Sequence, residues 1–324
     1  MGERVLIVKT GYSELLELGN SDTVSLGDIF RVTPLLEVYK KRGDHVTWLT
    51  DKYAFPLLEG NSSINELLHL DFPTSIHLQD RAFDTIVNLE KNKEVCGLVK
   101  RLDAWRKLGF RVDVETGDVR AYDRANEALT VSSNQDIKKT NNKTFQELLF
   151  TIAGEVWQGE NYSLGYSPKS EEVFDVGLNT TVGKKWPNKA WESGKWDDLE
   201  KRLISEGFNV TRQDRQDPMI FKSINTYIDW INQSKTIVTG DTFGMHVAIA
   251  LGKNVLGLFG PTPSAEVHFY DRGEAILPEP LPECLPCFRN ECDYFKGPCI
   301  NLIDVDRVYQ KTIEYSKKGR AIKN

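Results

Sequence analysis

The chain has 324 residues, enough for two domains with well-filled cores. With 40% hydrophobic and 27% charged residues it has the composition of an ordinary globular protein, and a net charge of -6 argues against nucleic acid as its main partner. No apolar run approaches the roughly 20 residues needed to cross a bilayer, and the opening MGERVLIVKTG reads as a strand rather than a signal peptide. The expected compartment is the cytoplasm, and the sequons at Asn61 and Asn209 are read as chance matches.

Residues 4–9 form the first buried strand, followed by a polar stretch containing Gly11 and Gly19. Ser25-Leu26-Gly27-Asp28 leads into a helix expected over 29–42, with Pro34 early in it, where a missing N–H does least harm. A second strand is expected at 45–50, then βα units at 64–70 and 85–89, the latter ending in Asn88 and Glu90. Residues 107–142 are more polar and read as loops and short elements, 145–153 as a helix, and 159–170 as a linker. A second series follows: a strand at 174–178, a helix at 196–206, a strand at 208–211 and a helix at 226–233. It closes with the strand 236–239, a buried helix from Gly244, the strand 255–259 and a last helix at 305–317. Strands alternating with helices imply two doubly wound α/β domains, and a cleft between two sheet edges is where a ligand is expected.

Parallel sheets bind ligands at the carboxyl ends of their strands, and three loops fall there. The first carries Gly27-Asp28; Asp28 is either an ordinary helix cap or a carboxylate that removes a proton from a hydroxyl. The second, Asn179-Thr180-Thr181-Val182-Gly183-Lys184-Lys185-Trp186, has the small hydroxyls, glycine and lysine that suit a diphosphate. It lacks the Gly-Lys-Ser/Thr order of a Walker A loop, and the plain alternative is a solvated surface loop. The third carries Asp241, Thr242, Gly244, His246 and Thr262 around a helix start that offers free N–H groups to a phosphate. Taken alone, Asp241 and Thr242 serve equally as capping residues and His246 as a core histidine.

Taken together, Ser25-Leu26-Gly27-Asp28 with Thr33-Pro34-Leu35-Leu36, Lys184-Lys185-Trp186-Pro187, Gly240-Asp241-Thr242 with Met245-His246-Val247-Ala248, and Phe259-Gly260-Pro261-Thr262 occur in order. Over nearly the whole chain this pattern resembles glycosyltransferase family 9, the ADP-heptose:lipopolysaccharide heptosyltransferases. The resemblance implies a GT-B fold of two Rossmann-like domains whose parallel sheets face a central cleft. The expected boundaries are 1–165 for the acceptor side, 166–303 for the nucleotide-sugar side with a cysteine-rich loop, and 304–324 for a helix packing back on the first domain. It also implies transfer with inversion and no catalytic metal. Asp28 then matches the general base and Lys184 the diphosphate-binding lysine, with Thr180 and Thr181 beside it. Asp241, Thr242, Gly244 and His246 match the donor site. Two departures stand out: residues 12–24 intervene before the Gly-Asp, and Phe243 precedes a glycine set one place late, where it would stack on or crowd the donor.

Four of five cysteines follow Cys284-x2-Cys287-x4-Cys292-x6-Cys299, and Cys96 stands apart as a buried thiol. In a cytoplasmic protein such a cluster favours structural zinc or iron over disulfides, with a reduced metal-free loop as the alternative. The resemblance points the same way, since some heptosyltransferases acting on proteins hold iron through four cysteines. The expected function is an inverting transferase moving a sugar from a nucleotide-diphosphate-sugar such as ADP-heptose to a glycan, lipid-linked or protein acceptor. Peripheral association with the cytoplasmic face of the inner membrane and a place in lipopolysaccharide biosynthesis follow from the same resemblance. The alternatives are a sugar-nucleotide epimerase or hydrolase on this scaffold, or a non-catalytic nucleotide-sugar sensor.

Overall fold

The computed structural model describes residues 2–19, 23–293 and 297–321. The chain forms two compact units, Met1–Ser167 and Pro168–Asn324. Part of the 12–24 stretch and part of the cysteine-rich loop therefore lie outside the described residues.

The first unit runs β1 (Arg4–Val8), α1 (Leu26–Arg31), α2 (Leu35–Arg42), β2 (His45–Thr50), α3 (Phe55–Leu58), β3 (Glu66–His69), α4 (Phe72–Gln79) and β4 (Ala82–Asn88). It continues through α5 (Lys93–Arg101), β5 (Asp103–Val112), β6 (Val119–Ala121), α6 (Asn126–Ser133), α7 (Gln135–Thr140) and α8 (Phe145–Ala153). Its sheet has the order β3-β2-β1-β4-β5-β6 and is parallel except for the β5–β6 pair. Residues Val5, Leu6, Ile7 and Val8 are all fully buried, as expected of a central strand covered on both faces.

Two expectations need correction here. The helix expected over 29–42 is two helices, α1 and α2. Pro34 has no N–H to give the Phe30 carbonyl, which the Thr33 amide and the Thr33 hydroxyl take instead, at 3.1 and 2.7 Å. The chain tightens through that turn and restarts at Leu35. The polar stretch from 107 onward holds the second half of β5, a ten-residue strand whose exposed Trp105 and Arg106 and half-buried Lys107 hide the usual apolar signal.

The second unit runs β7 (Phe174–Asn179), α9 (Ser193–Ser205), β8 (Val210–Arg212), α10 (Ile224–Asn232), β9 (Ser234–Gly240), α11 (Phe243–Ala250), β10 (Asn254–Leu258), β11 (Gly273–Ile276) and α12 (Val305–Ala321). Its sheet, β11-β10-β9-β7-β8, is parallel in every described pair. The short strand β11 was not anticipated. Helix α12 packs on α9 and against β7, β9 and β10 of its own unit, where Val305 and Val308 join the core of Val176, Leu178, Leu256 and Leu258. The expected α/β fold of two Rossmann-like, parallel-sheet units is therefore what the chain has.

Each sheet has one point where the strand order reverses direction. In the first it lies between β1 and β4, and in the second between β7 and β9. Crevices open at such points, just beyond the carboxyl ends of the strands.

Candidate active site

At the reversal point of the first unit the sequence places a lysine, Lys9, one residue past β1, and two charged residues, Glu90 and Lys91, just past β4. The β1–β4 register sets Val8 beside Asn88, so these charges meet although about 80 residues separate them in the chain. Lys9 Nζ lies 2.5 Å from Asp28 Oδ2 and 3.3 Å from Glu90 Oε1, with all three side chains buried. Glu90 in turn accepts from the amides of Thr10, Gly11 and Ser13 and from the Ser13 hydroxyl, at 2.7–2.9 Å. Burial alone would raise the Asp28 pKa, but Lys9 first and Arg31 after it outweigh burial and hold it below the ordinary carboxylate value.

Residues 13–16 lie directly over this carboxylate. The Leu15 amide donates to both Asp28 oxygens, at 3.2 and 3.1 Å. Three buried ammonium groups hold the same strip by its carbonyls: Lys9 on Ser13, Lys91 on Leu15 at 2.7 Å, and Lys138 on Leu16 at 2.6 Å. Burial, reinforced by nearby Lys9, pulls the Lys91 pKa down to about 7. The sequence singled out Asp28 but not Lys9, Glu90, Lys91 or Lys138. The available signal was a charged residue directly after each of two buried strands.

At the reversal point of the second unit, Asn179 ends β7 and Gly240-Asp241 ends β9. Asn179 is buried and spans the gap: its amide donates to the hydroxyls of Thr239 at 2.8 Å and Thr242 at 3.2 Å, while its carbonyl accepts from Tyr227 at 2.9 Å. A consequence falls on α11. Its N-cap is Thr242, yet that hydroxyl is turned to Asn179 and makes no capping bond, so no side chain caps the start of the helix, and the Met245 amide bonds back to the Thr242 carbonyl at 3.0 Å. Gly244 in the first turn cannot carry a side chain, because a Cβ there would sit 2.2 Å from the Tyr227 hydroxyl and 2.6 Å from Asn179 Nδ2. Phe243 is turned toward Tyr227, with ring centres 6.1 Å apart.

Asp241 is held from two sides. Lys189 Nζ lies 2.7 Å from its Oδ2, and the Thr262 hydroxyl donates to the same oxygen at 2.7 Å. Burial acts to raise its pKa, but Lys189 and then His246 dominate and drive it far below the usual range. His246 is buried on α11, as a core histidine would be. The structure therefore gathers Asp241, Thr242, His246 and Thr262 with Asn179 from the head of the second loop, and adds Lys189 and Tyr227, which sequence reading did not select.

The other loop residues stand differently. Thr180 carries a buried hydroxyl without a partner among the described residues, and the Thr181 amide donates to Gln213. Lys184 is exposed and has neither ion pair nor hydrogen bond among the described residues. It is Lys189, five residues on, that pairs with Asp241.

The cysteine-rich loop lies against the same two segments. Asn188 donates to the Arg289 carbonyl at 2.5 Å, and the Phe288 amide to the Pro261 carbonyl at 2.9 Å. Cys299 is buried, Cys287 and Cys292 half-buried and Cys284 exposed. Burial, and after it the neighbouring Cys287, Cys292 and Cys284, push the Cys299 thiol up to about 12. Cys284, Cys287 and Cys292 thus all lie within electrostatic reach of Cys299. Among the described residues, however, no three His, Cys, Asp or Glu side chains are drawn together as ligands of one ion.

Among the described residues no helix is long and apolar enough to cross a membrane. Residues 222–296 match the model of glycosyltransferase family 9 (heptosyltransferase). Among curated proteins none matches. The chain is similar in structure to a family 9 glycosyl transferase from Veillonella parvula, with 15% identity, 98% of each chain covered and a TM-score of 0.66. It is also similar to the Escherichia coli ADP-heptose lps heptosyltransferase II, at 17% identity, 98% of this chain, 99% of the other and a TM-score of 0.64. The Escherichia coli heptosyltransferase WaaC, solved with ADP, gives 17% identity, 97% and 98% coverage and a TM-score of 0.61.

Proposed function

From a chain that is heptosyltransferase-like in fold and matches glycosyltransferase family 9 across the β9–α11–β10 segment, we propose an inverting sugar transferase using a nucleotide-diphosphate-sugar donor, ADP-heptose first. The match and the neighbours support a glycosyltransferase. The observation that carries it is the amino end of α11, which no side chain caps, at the reversal point of the second sheet. Asp241 and Lys189 lie beside it, and Thr242 is withdrawn from its cap. A helix start without a side-chain cap and with a positive dipole end suits a diphosphate.

In this reading the acceptor hydroxyl takes the place of the Leu15 amide at Asp28. The carboxylate removes its proton as the oxygen attacks the anomeric carbon from the face opposite the nucleotide. The α11 amides and Lys184 meet the charge that grows on the departing diphosphate, so the step needs no metal ion. Lys189 is already neutralised by Asp241 and fixes the loop rather than the ligand. The acceptor is a glycan, a lipid-linked sugar or a protein, and work at the cytoplasmic face of the inner membrane in lipopolysaccharide assembly belongs to the same proposal.

Calorimetry with ADP tests the donor side. ADP should bind the wild-type chain, and Lys184→Ala should weaken it by about 10-fold, the loss of one charge-assisted bond. Unchanged affinity in that variant would remove Lys184 from the site. Product analysis with ADP-heptose tests the rest: a sugar altered without any acceptor would point to the epimerase reading instead.

We also propose structural zinc or iron at Cys284, Cys287, Cys292 and Cys299. Four thiols suit either ion and would leave it no open position for substrate. The described side chains are not closed into a ligand shell, so no chemical step is assigned to the ion. Elemental analysis of gently purified protein should find one zinc or iron per chain; finding neither would leave the loop as reduced thiols.

A further inference from the structure

The carboxylate assigned as base is not alone in its pocket. Lys9 is fully buried and places one ammonium between two carboxylates, 2.5 Å from Asp28 and 3.3 Å from Glu90. Glu90 is fully buried too, and its two oxygens carry the amides of Thr10, Gly11 and Ser13 and the Ser13 hydroxyl. One oxygen of Asp28 is thereby tied to Lys9, and Glu90 is tied to the backbone that leads from β1 to the strip over Asp28.

We propose that Lys9 and Glu90 are positioning residues for Asp28. Lys9 fixes the carboxylate's direction and weakens its hold on a proton, while Glu90 draws on the same ammonium and limits that weakening. This deepens the reading of Asp28 as the base and rests on it. A single ammonium at 2.5 Å leaves a carboxylate too acidic to accept a proton readily. A second carboxylate on the far side of that ammonium returns part of the lost basicity without entering the site. The other charged groups in the neighbourhood are Arg31 on the same helix, Lys91 beside Glu90, and Lys138, which acts on Lys91. Tyr12, bonded to Asp51, borders Glu90. Neither Lys9 nor Glu90 needs to touch substrate.

The test reads Asp28 itself. Full-length protein is labelled at the aspartate carboxyl carbons, the Asp28 signal is identified by its loss in Asp28→Asn, and its titration is followed by NMR. Lys9→Met should raise the Asp28 midpoint by about one pH unit or more, since an opposite charge at this range moves a carboxylate by ~1–3. Lys9→Arg, which keeps the charge, should hold the midpoint low, and Glu90→Gln should leave it low or take it lower. A role in packing alone would loosen the pocket in every variant and bring Asp28 toward its ordinary value each time. A rise in Glu90→Gln, or no rise in Lys9→Met, would therefore overturn the proposal. If Lys9→Met does not fold, Lys9→Arg and Glu90→Gln still decide, because both must keep the midpoint low. Turnover of Asp28→Asn, measured separately, judges the base assignment. Full turnover would end that assignment even where the titrations behave as stated.

Discussion

Replacing Asp28 with asparagine is expected to cut sugar transfer by ~10²–10⁴-fold, the usual contribution of a positioned proton acceptor, while ADP binds as in the wild-type chain. The side chain keeps its shape, and Lys9 keeps Glu90 as an ionic partner at 3.3 Å, so the first unit retains one of the two pairings that neutralise the lysine. Donor affinity should hold because the residues assigned to the diphosphate all belong to the second unit. Initial rates with ADP-heptose, set beside calorimetric ADP binding, make the check. Wild-type rates in the variant would eliminate proton abstraction by this residue. Lost rates with lost ADP affinity would point to damage to the fold.

The second large effect is expected at Lys189. Lys189→Met leaves Asp241 charged and mostly enclosed, with side-chain exposures of 11% and 16% for the pair in the intact protein. Removing one partner of a buried ion pair costs ~3–5 kcal/mol. The lower end applies here, since Thr262 still donates to the carboxylate and some solvent reaches it. The pH dependence has a definite sign. Lys189 depresses the folded-state pKa of Asp241 far below the unfolded value of about 4, so the stabilisation is fully present above that value. It fades as pH falls toward the folded-state value. The gap in unfolding free energy between wild type and variant should therefore be widest at neutral pH and should narrow below about pH 4. Denaturant melts at pH 7 and pH 3 measure it, and an equal gap at both would detach Lys189 from Asp241.

What could be read in the sequence, and what could not, divides along a physical line. Buried strands broken off by Gly-Asp or Gly-Pro announce themselves locally, so the β9–α11–β10 unit and the loops at Asp28 and Thr180 were visible from composition and spacing. The split at Pro34 was misjudged because a proline early in a helix is tolerated, and only the Thr33 hydroxyl's bond to Phe30 shows that a turn wins. The half of β5 from Lys107 onward reads as loop in the sequence because exposed Trp105 and Arg106 and half-buried Lys107 interrupt the alternation of apolar residues that marks a strand. Most of what was missed in the site depends on pairing across the sheet. Glu90 reaches Lys9 only because β4 lies beside β1, and Lys189 reaches Asp241 only because a short turn at Pro187–Lys189 swings it back toward β9. A lysine after a tryptophan and a proline carries no mark of its eventual partner.

The strip of residues 13–16 has a consequence for what kind of molecule can reach Asp28. Exchanging the Leu15 amide for a hydroxyl swaps one hydrogen bond for another at little net change. The greater resistance comes from Lys9, Lys91 and Lys138, each of which would surrender a backbone oxygen that it now grips. Whatever displaces the strip has to hand those three cations oxygens in return. A visitor dense in hydroxyl, carboxylate or phosphate oxygen meets that demand, and a greasy one of equal size does not.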